Sequence, residues 1–195
     1  MNLLKHFIAI LAFAAVNLPA HAASVLPLYL DEMIDTSTTA FEGRVIANRT
    51  ERDPATKLVV TYTTFEVLDL LKGNVGAKHE IKQIGGSLPD EALQYRVQGI
   101  PTFSAGDTYV VFLAGVSPIG FSSPIGLSQG RFGVHEHATG RRVANGRDFK
   151  DMTSRMTANL PAAAKARVLQ DNEPMRDMDI DDFKRTVRAH LESKR

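Results

Sequence analysis

The chain has no cysteine among its 195 residues. That excludes a thiolate nucleophile, a disulfide framework, a Cys-ligated zinc and a Cys-ligated iron–sulfur cluster. Whatever fold forms must rest on packing and hydrogen bonds. Long apolar runs are also scarce. The longest, Phe7 to Val16, is about half the roughly 20 residues a spanning helix needs. Charge of one sign is missing as well. Lys and Arg total 23 against 22 Asp and Glu, and removing Lys5 with an N-terminal signal leaves 22 of each. A nucleic-acid footprint needs a net basic face that releases phosphate counterions, so no nucleic-acid partner is expected. A polybasic membrane patch is disfavoured on the same ground.

The beginning of the chain follows the order of an export signal. Lys5 and His6 supply positive charge, and the apolar run follows. Asn17-Leu18-Pro19 breaks it, and Ala20-His21-Ala22 offers small residues to a signal peptidase. Cleavage is expected between Ala22 and Ala23, with the product in the periplasm or outside the cell. No membrane span is expected in the 173 residues after Ala22, a length that suits one domain with an appendage. Asn48-Arg49-Thr50 matches a glycosylation acceptor, which matters only in a eukaryotic host.

Residues 23–38 form a lead in which Leu30, Met33 and Ile34 share one face of a short helix. Period-two alternation then begins. Phe41, Gly43, Val45 and Ala47 alternate with polar neighbours, and Asp53-Pro54 marks a hairpin loop. In Leu58 to Leu71 the apolar parity runs Leu58, Val60, Tyr62 and then Phe65, Val67, which places a β-bulge at Thr63-Thr64. A short helix over Glu66 to Leu71 is the competing reading. Lys78 to Ile84 reads as a third strand. Thr108 to Ala114 is apolar on both parities and should be a central strand covered on both faces. Gly115 to Ser128 is a Gly-, Ser- and Pro-rich loop. Gly130 to His135 and Arg142 to Ala144 form a last hairpin. The expected fold is all-β, an OB-like barrel or sandwich over residues 39–149, with a C-terminal α-helical appendage over 150–195. In that tail Ile180, Phe183, Val187 and Leu191 make one apolar helical stripe.

Several motifs stand in a definite order. They are Phe41-x-Gly43-x-Val45, Thr61-x-Thr63-x-Phe65-x-Val67, Gly85-Gly86, Val97-x-Gly99-x-Pro101-x-Phe103, Gly106-Asp107-x-Tyr109-x-x-Phe112-Leu113 and Leu127-x-Gln129-Gly130-x-Phe132. The stretch from Ala40 to Val134 resembles a group of uncharacterised exported bacterial proteins. More distantly, Gly43, Lys72-Gly73 and the Gly106 to Leu113 strand are similar in layout to the OB-like domain of tissue inhibitors of metalloproteinases. That resemblance implies a barrel. It does not imply the inhibition, which uses an N-terminal cysteine absent here.

Candidate chemistry is sparse. His135 and His137 are two apart on a strand and therefore point the same way, as a pair of metal ligands would. A zinc site needs a third protein ligand, for which His79 and Asp107 are candidates. The bland alternative is a polar hairpin end. Ser87, Ser104, Ser122 and Ser128 lie in no nucleophile motif. Asp31-Glu32 and Asp90-Glu91 have no fixed separation. Gly85-Gly86-Ser87 lacks the lysine of a phosphate loop. Gln129, Arg131 and Phe132 follow the Gly/Pro-rich loop and combine a donor fork with an aromatic, as a binding lip would; the alternative places Phe132 in the core. No cofactor is expected. The leading expectation is a non-catalytic binding or interaction module for an unknown protein, peptide or glycan. The alternatives are a metal- or serine-dependent hydrolase and a subunit docking through its C-terminal helix.

Overall fold

A computed structural model describes residues 26–170 and 173–195. The expected cleavage point at Ala22 and Ala23 lies outside the described residues.

Strand β6 (Thr108–Leu113) organises the molecule. Successive strand residues face opposite ways. Val110 and Phe112 accordingly enter one core, and Tyr109, Val111 and Leu113 enter another. A strand apolar on both sides must be flanked and covered, and β6 is the middle strand of a seven-stranded antiparallel sheet. Its neighbours are β1 (Thr39–Arg52), β2 (Val59–Lys72) and β3 (Lys78–Ile84) on one side. On the other side are β7 (Arg131–His137), β8 (Gly140–Ala144) and β9 (Met178–Asp179). A separate hairpin pairs β4 (Gly86–Leu88) with β5 (Leu93–Tyr95).

One face of the sheet is covered by helices. These are α1 (Leu30–Thr36), α2 (Phe149–Thr153), a 3-10 segment Ser154–Asn159, α3 (Ala162–Gln170) and α4 (Ile180–Ser193). Asp179 caps α4, its carboxylate accepting from the N–H groups of Asp181 and Asp182. The expected stripe is spent on the chain's own core. Ile180, Phe183 and Val187 are buried, and Leu191 packs at the margin. The Phe132 and Phe183 rings lie 4.9 Å apart, with Phe112 and Phe149 around them. Each such ring contributes about 1.5–3 kcal/mol by leaving water.

The opposite face carries a second aromatic chain. Phe41, Phe65, Phe103 and Tyr109 meet edge to face at centroid separations of 5.1–5.5 Å. Phe103 comes from the segment before β6, which folds under this face.

The sheet is strongly irregular between β1 and β2, with register shifts at three places. Leu68 and Leu71 are the extra residues on β2, and Ile46 is the extra residue on β1. The bulge expected at Thr63-Thr64 is therefore on the partner strand: Val45 pairs with Phe65 and Ala47 with Thr64, leaving Ile46 unpaired. Along β2 itself the pairing with β3 is unbroken from Val60–Ile84 to Glu66–Lys78. Thr61, Thr63, Phe65 and Val67 all keep one facing. The parity switch was misleading because two inward positions are threonine. The alternative helix over Glu66 to Leu71 does not form.

Bulges bend and twist a pair of strands, and here the bending carries β3 toward the segment after β6. Pro124 bridges to Leu113, and the Ser122 N–H donates to the Lys82 carbonyl on β3's free edge at 3.0 Å. The outer strands β3 and β9 do not pair with each other, so the architecture is an antiparallel sheet with a C-terminal helix; barrel closure is not found among the described residues. The Gly115 to Ser128 loop is pinned by the same lysine. Lys82 Nζ donates to Asp53 Oδ1 at 2.7 Å and to the Ile119 carbonyl at 3.1 Å, and it lies 4.8 Å from the Phe121 ring centre.

A polar seam runs beneath α4. Glu42 on β1 is only 2 % exposed, on the helix-covered face. It accepts from Arg141 at 2.5 Å and from Lys184 at 2.8 Å, and Lys184 also reaches Asp69 at 3.1 Å. Burial by itself lowers the Lys184 pKa, but its bonds to Glu42 and Asp69 and their charges outweigh that and raise it. Removing the Glu42 charge takes the buried anion from between Arg141, which is partly exposed, and Lys184, which keeps Asp69 and Asp181. The Glu42→Gln variant is expected to lose about 3 kcal/mol in urea unfolding.

The Lys82 bond, with additional bonds from the hydroxyl and N–H of Thr56, holds the Asp53 carboxyl well below the usual carboxylate range. A depressed folded pKa contributes stability above the unfolded value near 4, lost as pH falls toward the folded value. Urea midpoints at pH 7, 4 and 2 should show a smaller acid loss in Lys82→Met than in the native chain.

Candidate functional site

Past the aromatic core, the inner face of β1–β3 turns polar and opens into a cavity of about 740 Å³. That lies within the size range of small-molecule sites. Asn48, Thr61, Thr63 and Gln83 form its floor, and Thr61 stands directly across the ladder from Gln83. The β4–β5 hairpin makes one wall. The 96–103 segment makes another, and Arg131 enters from the start of β7.

Most floor groups are committed to holding these walls. The Thr63 hydroxyl donates to Asn48 Oδ1 at 2.8 Å, and Asn48 Nδ2 donates to the Phe103 carbonyl at 2.7 Å. The Thr61 hydroxyl donates to the Gly85 carbonyl at 2.7 Å and lies 3.0 Å from the Thr50 hydroxyl. Gly86 follows with φ of +145°, and a Cβ there would sit 2.4 Å from the Thr50 and Thr61 side chains. Only glycine lets the hairpin leave β3 so close to the sheet.

Two lining groups are not committed. Gln83 is 4 % exposed, yet its amide nitrogen has no hydrogen-bond partner. The Nε of Arg131 is likewise buried without one. Leaving a buried donor unpaired costs about 1–3 kcal/mol, and native chains keep few of them. Two around one cavity is a feature a ligand would resolve. Arg131 is otherwise firmly placed. Its Nη1 donates to the Thr102 carbonyl at 2.7 Å, and its guanidinium lies 5.3 Å from the centre of the Tyr109 ring. Tyr109 in turn donates its hydroxyl proton to Asp107 and accepts from the Ser104 N–H.

The structure separates the three residues of the expected binding lip. Arg131 lines the cavity. Phe132 faces the opposite way and is fully buried in the helix-covered core. Gln129 braces the lead segment: its side-chain oxygen accepts from the Leu28 N–H at 2.9 Å and its amide donates to the Leu26 carbonyl at 3.0 Å. Gly130 between them serves close approach, since a Cβ would lie 2.8–2.9 Å from the Ile125 backbone and the Phe112 carbonyl.

His135 and His137 lie on the exposed end of β7, opposite Arg142 and Gly140. His137 Nδ1 lies 3.1 Å from the Thr139 hydroxyl. The proposed third ligands are elsewhere. His79 is on β3, edge to face with Phe41, where burial lowers its pKa. Asp107 bonds Tyr109. No group of three or more His, Cys, Asp or Glu suited to a metal stands together among the described residues. Ser87 and Ser128 line the cavity, but no His, Asp, Glu or Lys lines it with them.

Sequence reasoning missed Asn48, Thr61, Thr63 and Gln83. The available signal was the inward register of Thr61, Thr63 and Gln83 on adjacent strands, which becomes visible once β2 is read without a break.

The Asn48→Ala variant should free the wall that carries Phe103. Expected are a loss of about 1–1.5 kcal/mol and faster amide exchange at Ser104 and Gly106, read by hydrogen–deuterium exchange against an unchanged α4. The comparisons with known proteins add nothing to this geometry: no family model, no curated protein and no solved structure matches the chain.

Proposed function

We propose that this chain is an exported, non-catalytic binding protein whose ligand occupies the cavity beneath the β4–β5 hairpin. The observation that carries the reading is the pair of unpartnered buried donors, on Gln83 and Arg131, around a cavity of ligand size. Such groups are costly in the free protein and become useful when an acceptor arrives. The floor is built on strands and its walls are tied by side-chain hydrogen bonds, which suits a pre-formed site. The signal-like start, Lys5 to Ala22, supports a role outside the cytoplasm. The bulged β1–β2 pair and the Ser122–Lys82 bond support an OB-like, partly open barrel, a shape that binds across its face and loops. Burial of the α4 stripe in the chain's own core favours this reading over docking through that helix.

A thermal-shift screen against free amino acids, short peptides, oligosaccharides and organic acids tests the site. At least one class should raise the melting midpoint of the native chain and leave Ser87→Trp, which fills the wall, unmoved. No shift from any class would count against a ligand site. Independently, Gln83→Met removes the unpaired amide while keeping its volume, and should stabilise the free protein by about 1 kcal/mol. An intact mass beginning at Ala23, from protein recovered outside the cytoplasm, is the expected mark of export.

A further inference from the structure

Eight arginines of the described chain pair with a carboxylate: Arg44, Arg49, Arg52, Arg141, Arg142, Arg155, Arg185 and Arg188. The two that line the cavity do not. Arg96 reaches only the Gln94 amide on its own segment, and Arg131 reaches only a backbone carbonyl and a ring face. No acidic side chain lines the cavity to balance them. Arg147, Arg167, Arg176 and Arg195 have no carboxylate partner among the described residues either; what sets the cavity apart is that two such guanidinium groups line one enclosed space with no acidic side chain in its lining.

The geometry of Arg131 says which edge is free. Nη1 is spent on Thr102, and Tyr109 fixes the plane of the group. The Nε–Nη2 edge has no partner, and Nε is buried. Two parallel N–H bonds from one guanidinium edge match the two oxygens of a carboxylate or a phosphate, and such charge-assisted pairs are among the strongest hydrogen bonds. The walls are mixed: Ile84, Val97, Ile100, Pro101 and Phe103 give apolar surface among polar side chains. The Gln83 amide offers a further donor on the floor.

We infer that the cavity takes an organic anion, an apolar body carrying a carboxylate or phosphate that the free edge of Arg131 receives. This rests on the cavity being the binding site and adds the chemical class of its occupant. The apolar body fills the space before Phe103, and the Gln83 amide meets a second acceptor on the ligand. A neutral molecule of the same shape leaves Arg131 uncompensated and binds weakly. Arg131 acts here by contact with ligand, so charge alone does not replace it. Lysine keeps the charge but loses the planar fork.

Isothermal titration of the native chain with octanoate, octyl phosphate and 1-octanol tests the inference. At least one of the two anions should bind, and the better of the two identifies the oxyanion. Octanol should bind at least tenfold more weakly. Arg131→Gln should lose roughly 10- to 100-fold in affinity for the anion and Arg131→Lys an intermediate amount, with circular dichroism and melting midpoint confirming that both fold. Gln83→Met should weaken anion binding while melting higher than the native chain. Octanol binding as tightly as the anions, or Arg131→Gln binding as well as the native chain, overturns the anionic class and leaves the cavity as a site. Silence from all three, with a sugar or peptide shifting the native chain but not Ser87→Trp, does the same. Silence from every compound in both experiments removes the site as well.

Discussion

The structure depends on one strand that water cannot touch from either side. From Val110 to Leu113 every side chain of β6 is buried, in two cores that never meet through the sheet. An antiparallel sheet can leave one face to solvent, but this one cannot. The helices satisfy the first face, and α4 contributes Phe183 to it from the far end of the chain. Only curvature satisfies the second. The extra residues Ile46, Leu68 and Leu71 bend β1 and β2, and the segment carrying Phe103 closes beneath. The cavity lies where that second core runs out. Continuing apolar filling would have made a larger core, but Thr61, Thr63, Asn48 and Gln83 stand there instead.

Electrostatics divides the molecule the same way. Under α4 the buried Glu42 holds Arg141 and Lys184, which joins an early strand to a late strand and the last helix through charges that answer one another. A buried ion pair is weak evidence for stability, because desolvation offsets much of the attraction. The contact joins the ends of the chain in one arrangement, Lys184 of α4 standing 2.8 Å from Glu42 of β1. At the cavity the pairing is incomplete. Arg131 is held by Thr102 and Tyr109, yet its Nε has no partner and no acidic side chain lines the cavity beside it. Paired charge fixes the fold under α4 and also ties Lys82 to Asp53 and Arg52 to Glu91, while Arg131 and Arg96 line the cavity without an acidic neighbour.

Much of this was legible in the residues. Two-sided apolarity placed β6 as a central strand, and period two delimited β3 at Lys78–Ile84. The 3-4 spacing from Ile180 marked the face of α4. The alternation from Gly130 found the last hairpin. What failed did so for physical reasons. Alternation reports burial only where inward positions are apolar, so the threonines on the cavity floor looked like a change of facing and put the bulge on the wrong strand. β9 has two residues and no periodicity to read. Helix α2 turns on Phe149 and Met152 alone, too short a stripe to count. Gln129-Gly130-Arg131-Phe132 left both a lip and a core place for Phe132 open, and facing decides between them because adjacent strand residues point opposite ways. Arg131 therefore reached the cavity and Phe132 the core.

Phe132 and Arg131 are neighbours on β7, one a wall of the helix-covered core and the other a wall of the cavity. Anything that rotates β7 to improve the packing of Phe132 against Phe183 displaces the guanidinium on the other side by the same motion. The core on the helix face therefore acts as the rigid support of the site. Thr102 and Tyr109 complete the support from the cavity side. A donor edge held this firmly keeps its orientation, and the buried Nε would need only to be uncovered by a shift of the neighbouring wall for an oxyanion to reach it. The two unpaired donors go with this rigidity: a softer wall would let Arg131 and Gln83 turn and find partners of their own.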